Sequence, residues 1–160
     1  MPNKVNPIPE GYRGAIPYPT VRDVARALDF YCKVFGAQEI SRLADPVTGK
    51  VLHAEIRFHG QVMMLAEEVP EWANLSPQTL GGCATKLVLY VENVDAVADQ
   101  AVAAGAKLLT PIANQFYGDR SCRIEDPFGH VWLVSTHIED VSPEEIQRRV
   151  DAQMKKPGGD

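Results

Sequence analysis

The segment 51–58 alternates polar and apolar residues, and its polar members include an acid and a base. Successive side chains of a β-strand point to opposite faces, so His53, Glu55 and Arg57 are expected to share one face. An imidazole and a carboxylate two residues apart can meet and transfer a proton, which makes His53 and Glu55 the candidate catalytic residues. Two alternatives stay open. The pair can line a ligand cleft without catalysis, which the sequence favours, or Glu55 and Arg57 can form a strand ion pair.

A second segment that could bind a ligand is 115–120, with the sequence QFYGDR. The aromatic faces of Phe116 and Tyr117 offer rigid contact area, and Arg120 can bind a carboxylate through two hydrogen bonds. The alternative is a rigid loop in which Asp119 and Arg120 form the turn and Phe116 packs. The sequence alone does not choose between a ligand-binding segment and a structural loop.

The elements that hold these residues occur twice in the chain. VRDV at 21–24 returns as VENV at 91–94, 70 positions later, and Gly36 returns as Gly105, 69 positions later. Asp23 and Asn93 are predicted N-caps, because their side-chain oxygens can accept from first-turn amides. Both glycines are typical of helix ends, where the left-handed conformation is needed. We therefore expect two copies of one βαβββ unit.

Each copy is predicted to contain an opening strand, a helix and three further strands. The predicted strands are 15–21, 38–43, 51–58, 61–66, 85–91, 107–112, 121–125 and 130–137. Apolar stripes predict the buried helix faces, with Val24, Leu28, Tyr31 and Phe35 in the first copy and Val94, Val97, Ala101 and Ala104 in the second. Ser142 is predicted to cap a last helix with a thin apolar stripe.

The predicted organisation is an α+β protein in five parts. These are an extended arm at 1–13, a first module at 14–67, a linker at 68–83, a second module at 84–138, and a C-terminal helix with a loose tail at 139–160.

The motif DPFGHVW at 126–132, preceded by QFYGDR, resembles the vicinal oxygen chelate superfamily of glyoxalases, bleomycin-resistance proteins and dioxygenases. The resemblance covers about 14–137 and extends to a branch of small bacterial proteins of the phosphonate-operon type. It implies an open, curved, eight-stranded barrel-like sheet with helices outside and a ligand cleft inside. It also implies a homodimer.

Metal-binding members of that family hold one ligand on the first and last strand of each module. The resemblance transfers these positions to Ile16, Met64, Lys86 and Leu133. Aliphatic, thioether and ammonium groups do not suit the divalent ions that such sites bind. We therefore expect no metal and no cofactor. The expected ligand contacts are Met64, Trp72, Lys86, Tyr90, Phe116, Tyr117, Arg120 and Leu133.

Two of these expected contacts have more than one interpretation. Trp72, in the linker, can cover the cleft or anchor the crossover. Lys86, if buried among apolar residues, would indicate an anionic ligand or a salt bridge to Glu55.

Composition excludes several partners. The net charge of -5 and scattered basic residues argue against nucleic-acid binding. No run of about 18 apolar residues predicts a membrane span. The N-terminus lacks the apolar core of a secretory signal, and three cysteines cannot all pair, so we expect a reducing, cytoplasmic location.

Three functions follow for testing. The leading hypothesis is a metal-free homodimer that binds a small organic molecule, similar to the drug-sequestering side of the family. The alternative is a lyase or isomerase of the glyoxalase type that uses His53 and Glu55, with Tyr90 or Arg120 orienting an oxyanion, or a non-standard metal site. The third is a partner-binding module without a small ligand.

Overall fold

The computed structural model describes residues 5–154, which form eight strands and four α-helices. The strands are β1 (Thr20–Val21), β2 (Gln38–Ala44), β3 (Val51–Phe58), β4 (Gln61–Glu67), β5 (Lys86–Tyr90), β6 (Lys107–Asn114), β7 (Asp119–Glu125) and β8 (Val131–His137). The helices are α1 (Val24–Phe35), α2 (Pro77–Leu80), α3 (Val94–Ala103) and α4 (Pro143–Met154). Parts of the predicted arm (1–4) and tail (155–160) lie outside the described residues.

The strands form two four-stranded sheets with the same topology. Their orders are β1-β4-β3-β2 and β5-β8-β7-β6, and neither sheet closes into a barrel. In each sheet the first strand runs parallel to the last, and the other pairs are antiparallel. The chain divides into two compact units, one ending at Cys83 and one starting at Ala84. The predicted α+β class and the duplicated βαβββ unit are confirmed.

The first strand is shorter than predicted because prolines interrupt it. Only Thr20 and Val21 pair regularly with β4, although the expected strand began at 15. Pro17 and Pro19 have no N–H to donate, so they contribute only acceptors. Their carbonyls accept from Met64 N at 2.9 Å and Ala66 N at 3.0 Å. The extended segment before β1 therefore runs beside β4, but at the two prolines it accepts hydrogen bonds from β4 and donates none.

The predicted caps Asp23 and Asn93 begin α1 and α3. Asp23 Oδ1 accepts from Arg26 N, and Asn93 Oδ1 accepts from Ala96 N, each at 3.0 Å. All four predicted core residues of α1 are buried. In α3 the prediction was wrong for Ala104, which is exposed at the C-cap, and Val97 is only half-buried. The buried residues of α3 are Val94, Ala98 and Ala101.

The DPFGHVW motif is a turn held by one buried carboxylate. Asp126 Oδ1 accepts from the backbone amides of Phe128 and His130, each at 2.9 Å. Its Oδ2 accepts from Trp132 Nε1, also at 2.9 Å. Because a buried carboxylate needs such donors, these hydrogen bonds give Asp126 a structural role in the hairpin.

The segment between the two sheets contains more structure than a linker. A 3₁₀ helix covers Pro70–Trp72, and Ser76 caps α2. Glu68 holds this segment, because its carboxylate accepts from Ser76 N at 2.8 Å and from Arg22 Nε at 3.0 Å. The Thr79 hydroxyl and the Ser76 amide are the main causes that lower the pKa of Glu68 to about 2.

The last helix begins at the predicted cap, where Ser142 Oγ accepts from Glu145 N at 3.2 Å. No residue of α4 is buried. Arg149 ties it to the second unit by donating to Phe116 O at 3.1 Å and to Glu139. Among the described residues, no helix is long and apolar enough to cross a membrane.

Candidate functional site

Each sheet has a helix-covered face and an open face, which we define as the face opposite α1 or α3. In the first unit, Ala54 and Ile56 are fully buried on the helix side of β3. His53 and Glu55 alternate with them and therefore lie on the open face. His53 Nε2 lies 3.6 Å from Glu55 Oε1, and both side chains are partly exposed. The predicted juxtaposition of this acid and base is confirmed.

Two tyrosines complete a chain of polar groups on this open face. The Tyr18 hydroxyl hydrogen-bonds to His53 Nδ1 at 2.7 Å, with the two rings edge to face. Tyr12 OH donates to Glu55 Oε2, and this hydrogen bond is the main cause that raises the pKa of Tyr12. The order is therefore Tyr12, Glu55, His53, Tyr18. Sequence reasoning missed both tyrosines, although Tyr18 shares the alternation of Ile16 on the opening segment.

The open face of the second unit contains a cavity of about 320 Å³. Strands β6, β7 and β8 and the loop before β7 line it with apolar, hydroxyl, amide and guanidinium groups. The lining residues are Thr110, Pro111, Ala113, Gln115, Tyr117, Ser121, Arg123 and Leu133. The cavity brings together two predicted ligand contacts, Tyr117 and Leu133. Arg123 and Ser121 were missed, although the alternation along β7 could have placed both on the open face.

A second polar cluster lies at the end of the same sheet. Asp119, which is 4% exposed, accepts from Tyr90 OH at 2.7 Å and pairs with His137 Nδ1 at 2.9 Å. His137 Nε2 pairs with Asp140 at 3.0 Å. The carboxylates of Asp140 and Asp119 raise the pKa of His137, and the hydrogen bond to Asp119 raises that of Tyr90. The cluster joins the sheet to the segment before α4.

The structure corrects the prediction for Arg120. Its guanidinium binds both carboxylate oxygens of Asp95 on α3, at 2.6 and 2.7 Å, and Asn114 Oδ1 at 3.0 Å. These contacts lie on the helix-covered side, because residue 120 falls between the open-face residues 119 and 121. Arg120 is therefore neither a ligand contact of the open face nor the turn partner of Asp119.

Two further expectations also change. Trp72 is 73% exposed in its 3₁₀ helix, so it does not anchor the crossover by burial. Lys86 is exposed rather than buried among apolar groups.

The other expected contacts keep an accessible surface. Met64 is half-buried opposite Glu55, and the ring of Tyr90 is exposed although its hydroxyl is engaged. Phe116 is half-buried with its ring edge to face against Tyr117, at 5.1 Å between centroids.

The side chains at the four transferred metal positions do not supply a set of donors for a divalent ion. Ile16 and Leu133 carry no donor atom, Met64 carries a thioether, and Lys86 carries a cation. Within residues 5–154, no three His, Cys, Asp or Glu side chains are grouped so that they could hold a metal ion.

The fold and sequence place the chain in a family. It belongs to the Glyoxalase/Bleomycin resistance protein/Dioxygenase superfamily, whose model matches residues 19–134. The chain is 38% identical over 140 residues to the uncharacterized protein Mb0911c of Mycobacterium bovis, covering 86% of this chain and 91% of that protein. The uncharacterized protein Rv0887c of Mycobacterium tuberculosis has the same identity, with 82% of its length covered. Membership in a phosphonate-operon-type branch stays a prediction.

Solved structures share the fold at lower identity. A gene product of Arabidopsis thaliana superposes with a TM-score of 0.63 at 24% identity, covering 78% of this chain and 98% of that one. TioX from Micromonospora sp. ML1 gives 0.59 at 22% identity, with 81% and 100% covered. The fosfomycin resistance protein FosX from Listeria monocytogenes, solved with Mn(II) and sulfate, gives 0.58 at 20% identity, with 86% and 97% covered.

Proposed function

We propose that the protein binds a small organic molecule, without a metal ion, on the open face of its second unit. The observation that carries this proposal is the cavity of about 320 Å³. Small-molecule sites usually measure about 300–1,000 Å³ and combine apolar walls with a few polar groups. Leu133, Pro111 and Tyr117 supply such walls, and the hydroxyls and guanidinium supply polar groups.

The metal-free part of the proposal rests on side-chain chemistry. In this chain the positions transferred from metal-binding relatives hold Ile16, Met64, Lys86 and Leu133. Leu133 lines the cavity, so a position that coordinates metal in relatives would here contact the ligand. Stoichiometric divalent metal in the purified protein, measured by elemental analysis, would contradict this part.

A fragment screen by ¹H–¹⁵N NMR tests the binding function. Hits are expected to shift the amides of the cavity lining, and Leu133→Asn is expected to weaken them by about fivefold or more, because it removes an apolar wall. Leu109→Asn is the matched control, since Leu109 is an exposed leucine of β6 outside the lining. No saturable hit, or hits that ignore Leu133→Asn, would refute the proposal.

The second candidate function is a glyoxalase-type lyase or isomerase, and the His53–Glu55 pair favours it. Both side chains are partly exposed, and His53 Nε2 lies 3.6 Å from Glu55 Oε1, so a small movement would bring them to the hydrogen-bond distance that proton transfer requires. However, Tyr18 and Tyr12 already bind the pair, which is why binding without turnover is preferred.

Turnover of methylglyoxal with glutathione tests the enzymatic function. If the wild type is active, His53→Ala and Glu55→Gln are expected to lower kcat about 100-fold or more. Arg57→Gln, an exposed neighbour on the same strand, is the control. An inactive wild type, or activity that survives both substitutions, removes this function.

We also propose that the protein is a cytoplasmic homodimer. The thin apolar stripe of α4 (Ile146, Val150 and Met154) is not buried in the described chain, and Met154 is largely exposed. The three cysteines are free, which suits a reducing compartment. Sedimentation velocity should give twice the mass of one chain, and a monomer at micromolar concentration would contradict the dimer.

A further inference from the structure

We infer that the ligand of the second unit carries an oxyanion, a carboxylate or a phosphate ester, that binds the guanidinium of Arg123. This inference rests on the proposed binding function and specifies its ligand class. Arg123 lies on β7 at the cavity, opposite Leu133 of β8 and Thr110 of β6.

Arg123 differs from most other cations of its unit in having no acidic partner. Ion pairs in the described part of this unit engage Lys107, Arg120, His137, Arg148 and Arg149. The Arg123 side chain is exposed and forms no ion pair with any described residue. An unpaired guanidinium at a cavity is suited to bind a carboxylate or phosphate through two parallel hydrogen bonds.

The two acidic side chains of β7 on the same open face already have other partners. Glu125, two residues from Arg123 on β7, pairs with Lys107 Nζ at 2.9 Å. Asp119 is bound by Tyr90 and His137. Lys86, at the start of β5, adds a second cation without an ion pair among the described residues. Arg123 and Lys86 are therefore available to attract an anion, although the chain as a whole is acidic.

Hydroxyl groups next to Arg123 can complete the recognition of an oxyanion. Thr110 Oγ1 accepts from Arg123 N at 2.9 Å, so the hydrogen of this hydroxyl can be donated to another acceptor. Ser121 lines the same cavity. The pairing of a guanidinium with two hydroxyls fits a group with two or three oxygens better than it fits a cation or a neutral hydrocarbon.

The rest of the lining indicates an apolar body for the same ligand. Tyr117, Pro111 and Leu133 give one aromatic and two aliphatic surfaces. An aromatic or branched aliphatic acid would place its body on these surfaces and its charge at Arg123.

The test is a titration of the full-length protein with benzoate, phenyl phosphate and benzamide, at low ionic strength, followed by ¹H–¹⁵N NMR. These probes share one aromatic body, and only the first two carry an oxyanion. At least one anion should bind about tenfold or more tighter than benzamide, and Arg123→Gln should abolish that difference. Arg123→Lys should give an intermediate affinity, because it keeps the charge and loses the paired hydrogen bonds.

Arg148→Gln is the matched control, because Arg148 is an exposed arginine of α4 outside the cavity. It should bind all three probes as the wild type does. Fluorescence of the buried Trp132 verifies that each variant is folded. Preference for benzoate or for phenyl phosphate identifies which oxyanion the site takes.

Two results would overturn the inference in distinguishable ways. If benzamide binds as tightly as both anions, or Arg123→Gln leaves the affinity for the anions unchanged, the oxyanion inference fails and the binding function stands. If none of the three probes saturates, the inference fails, and a negative fragment screen then removes the binding function as well.

Discussion

The two units hold different chemistry at matching positions of the same sheet. In the first unit Glu55 of β3 lies opposite Met64 of β4, and in the second unit Arg123 of β7 lies opposite Leu133 of β8. Two residues earlier on the same strand, the first unit has His53 opposite Ala66, and the second unit has Ser121 opposite Ser135. Because these side chains point away from the helix-covered core, the fold does not restrict their identity.

The partners of these residues differ as well. The acid and base of the first unit are bound by Tyr12 and Tyr18, whereas Arg123 has no ionic partner among the described residues. A satisfied network stabilises its own geometry, while an unpaired guanidinium is available for a ligand. This contrast is why the binding proposal is placed on the second unit.

At the first residue of α1 and α3, in contrast, the backbone N–H is bound at the same place by different side chains. Glu67 Oε2 accepts from Val24 N at 3.0 Å, and Thr136 Oγ1 accepts from Val94 N at 2.8 Å. Both groups lie near the end of the last strand of their unit. The two units converge where a backbone amide must be satisfied, and they diverge on their open faces.

The largest expected effect on stability is the difference between a substitution at the end of α1 and one at the end of α3. Phe35 packs against Phe30 and Tyr31, whereas the corresponding Ala104 is exposed. Phe35→Ala should lower the free energy of unfolding by about 4 kcal/mol. Ala104→Ser should change it by less than about 0.5 kcal/mol. Urea denaturation followed by far-UV circular dichroism measures both, and a loss below about 1 kcal/mol for Phe35→Ala would contradict the aromatic packing.

A turn glycine precedes the central strand of each unit, with unequal space around it. A Cβ at Gly118 would lie 2.1 Å from the carbonyl oxygen of Glu139, whereas a Cβ at Gly49 meets nothing within 4 Å. Both have positive φ. Gly118→Ala should therefore cost about 3 kcal/mol from strain plus overlap, and Gly49→Ala about 1 kcal/mol from strain alone.

Urea denaturation followed by far-UV circular dichroism provides the measurement, because this signal reports on both units. Gly118→Ala should shift the urea midpoint of this signal far more than Gly49→Ala does. Equal shifts would show that the segment around Glu139 moves away at no cost.

The repeat made most of the fold predictable from the sequence. Caps at Asp23 and Asn93 and glycines at helix ends are local signals, so α1 and α3 were expected close to their actual bounds. The helix α2 was missed although Ser76 and Pro77 repeat the signal of Ser142 and Pro143. A single helical turn has too short an apolar pattern to be noticed.

The candidate site was predictable only where alternation along one strand decides it. His53 and Glu55 were placed correctly because β3 has the predicted bounds. Arg120 was misplaced because β7 begins at Asp119, two residues earlier than predicted, which turns Arg120 toward α3. The contacts of Tyr12 with Glu55 and of His137 with Asp119 join distant parts of the chain, and no local pattern contains them.

Glu68 and His137 follow or end the last strand of their units and respond oppositely to pH. For Glu68, hydrogen bonds lower the pKa from 4.5 to about 2. Its contribution to stability is therefore complete above pH 4.5 and is lost as the pH falls toward 2. Glu68→Gln should cost about 1 kcal/mol at pH 7, because charged acceptors form stronger hydrogen bonds.

Urea denaturation of the wild type and Glu68→Gln between pH 7 and pH 2 measures this effect. The two proteins should become equal in stability near pH 2. Glu71→Gln, on the neighbouring 3₁₀ helix, is the control and should follow the wild type. A constant difference over the whole range would show that shape rather than charge matters at residue 68.

The smallest expected effect is that of His137, whose contribution to stability falls as the pH rises, opposite to that of Glu68. The carboxylates of Asp140 and Asp119 raise the pKa of His137 above 6.5, and Tyr90 faces the same cluster through Asp119. The protonated imidazole therefore stabilises the folded state most fully below pH 6.5, and this contribution disappears as the pH rises through the raised pKa. His137→Gln should accordingly lower the urea midpoint at pH 5.5 and leave it nearly unchanged at pH 9.

Because His137 is about half exposed, solvent screening keeps the effect small, and Asp140→Asn should reproduce part of it. A larger loss at pH 9 than at pH 5.5 would mean that the neutral ring, rather than the ion pair, holds the segment before α4.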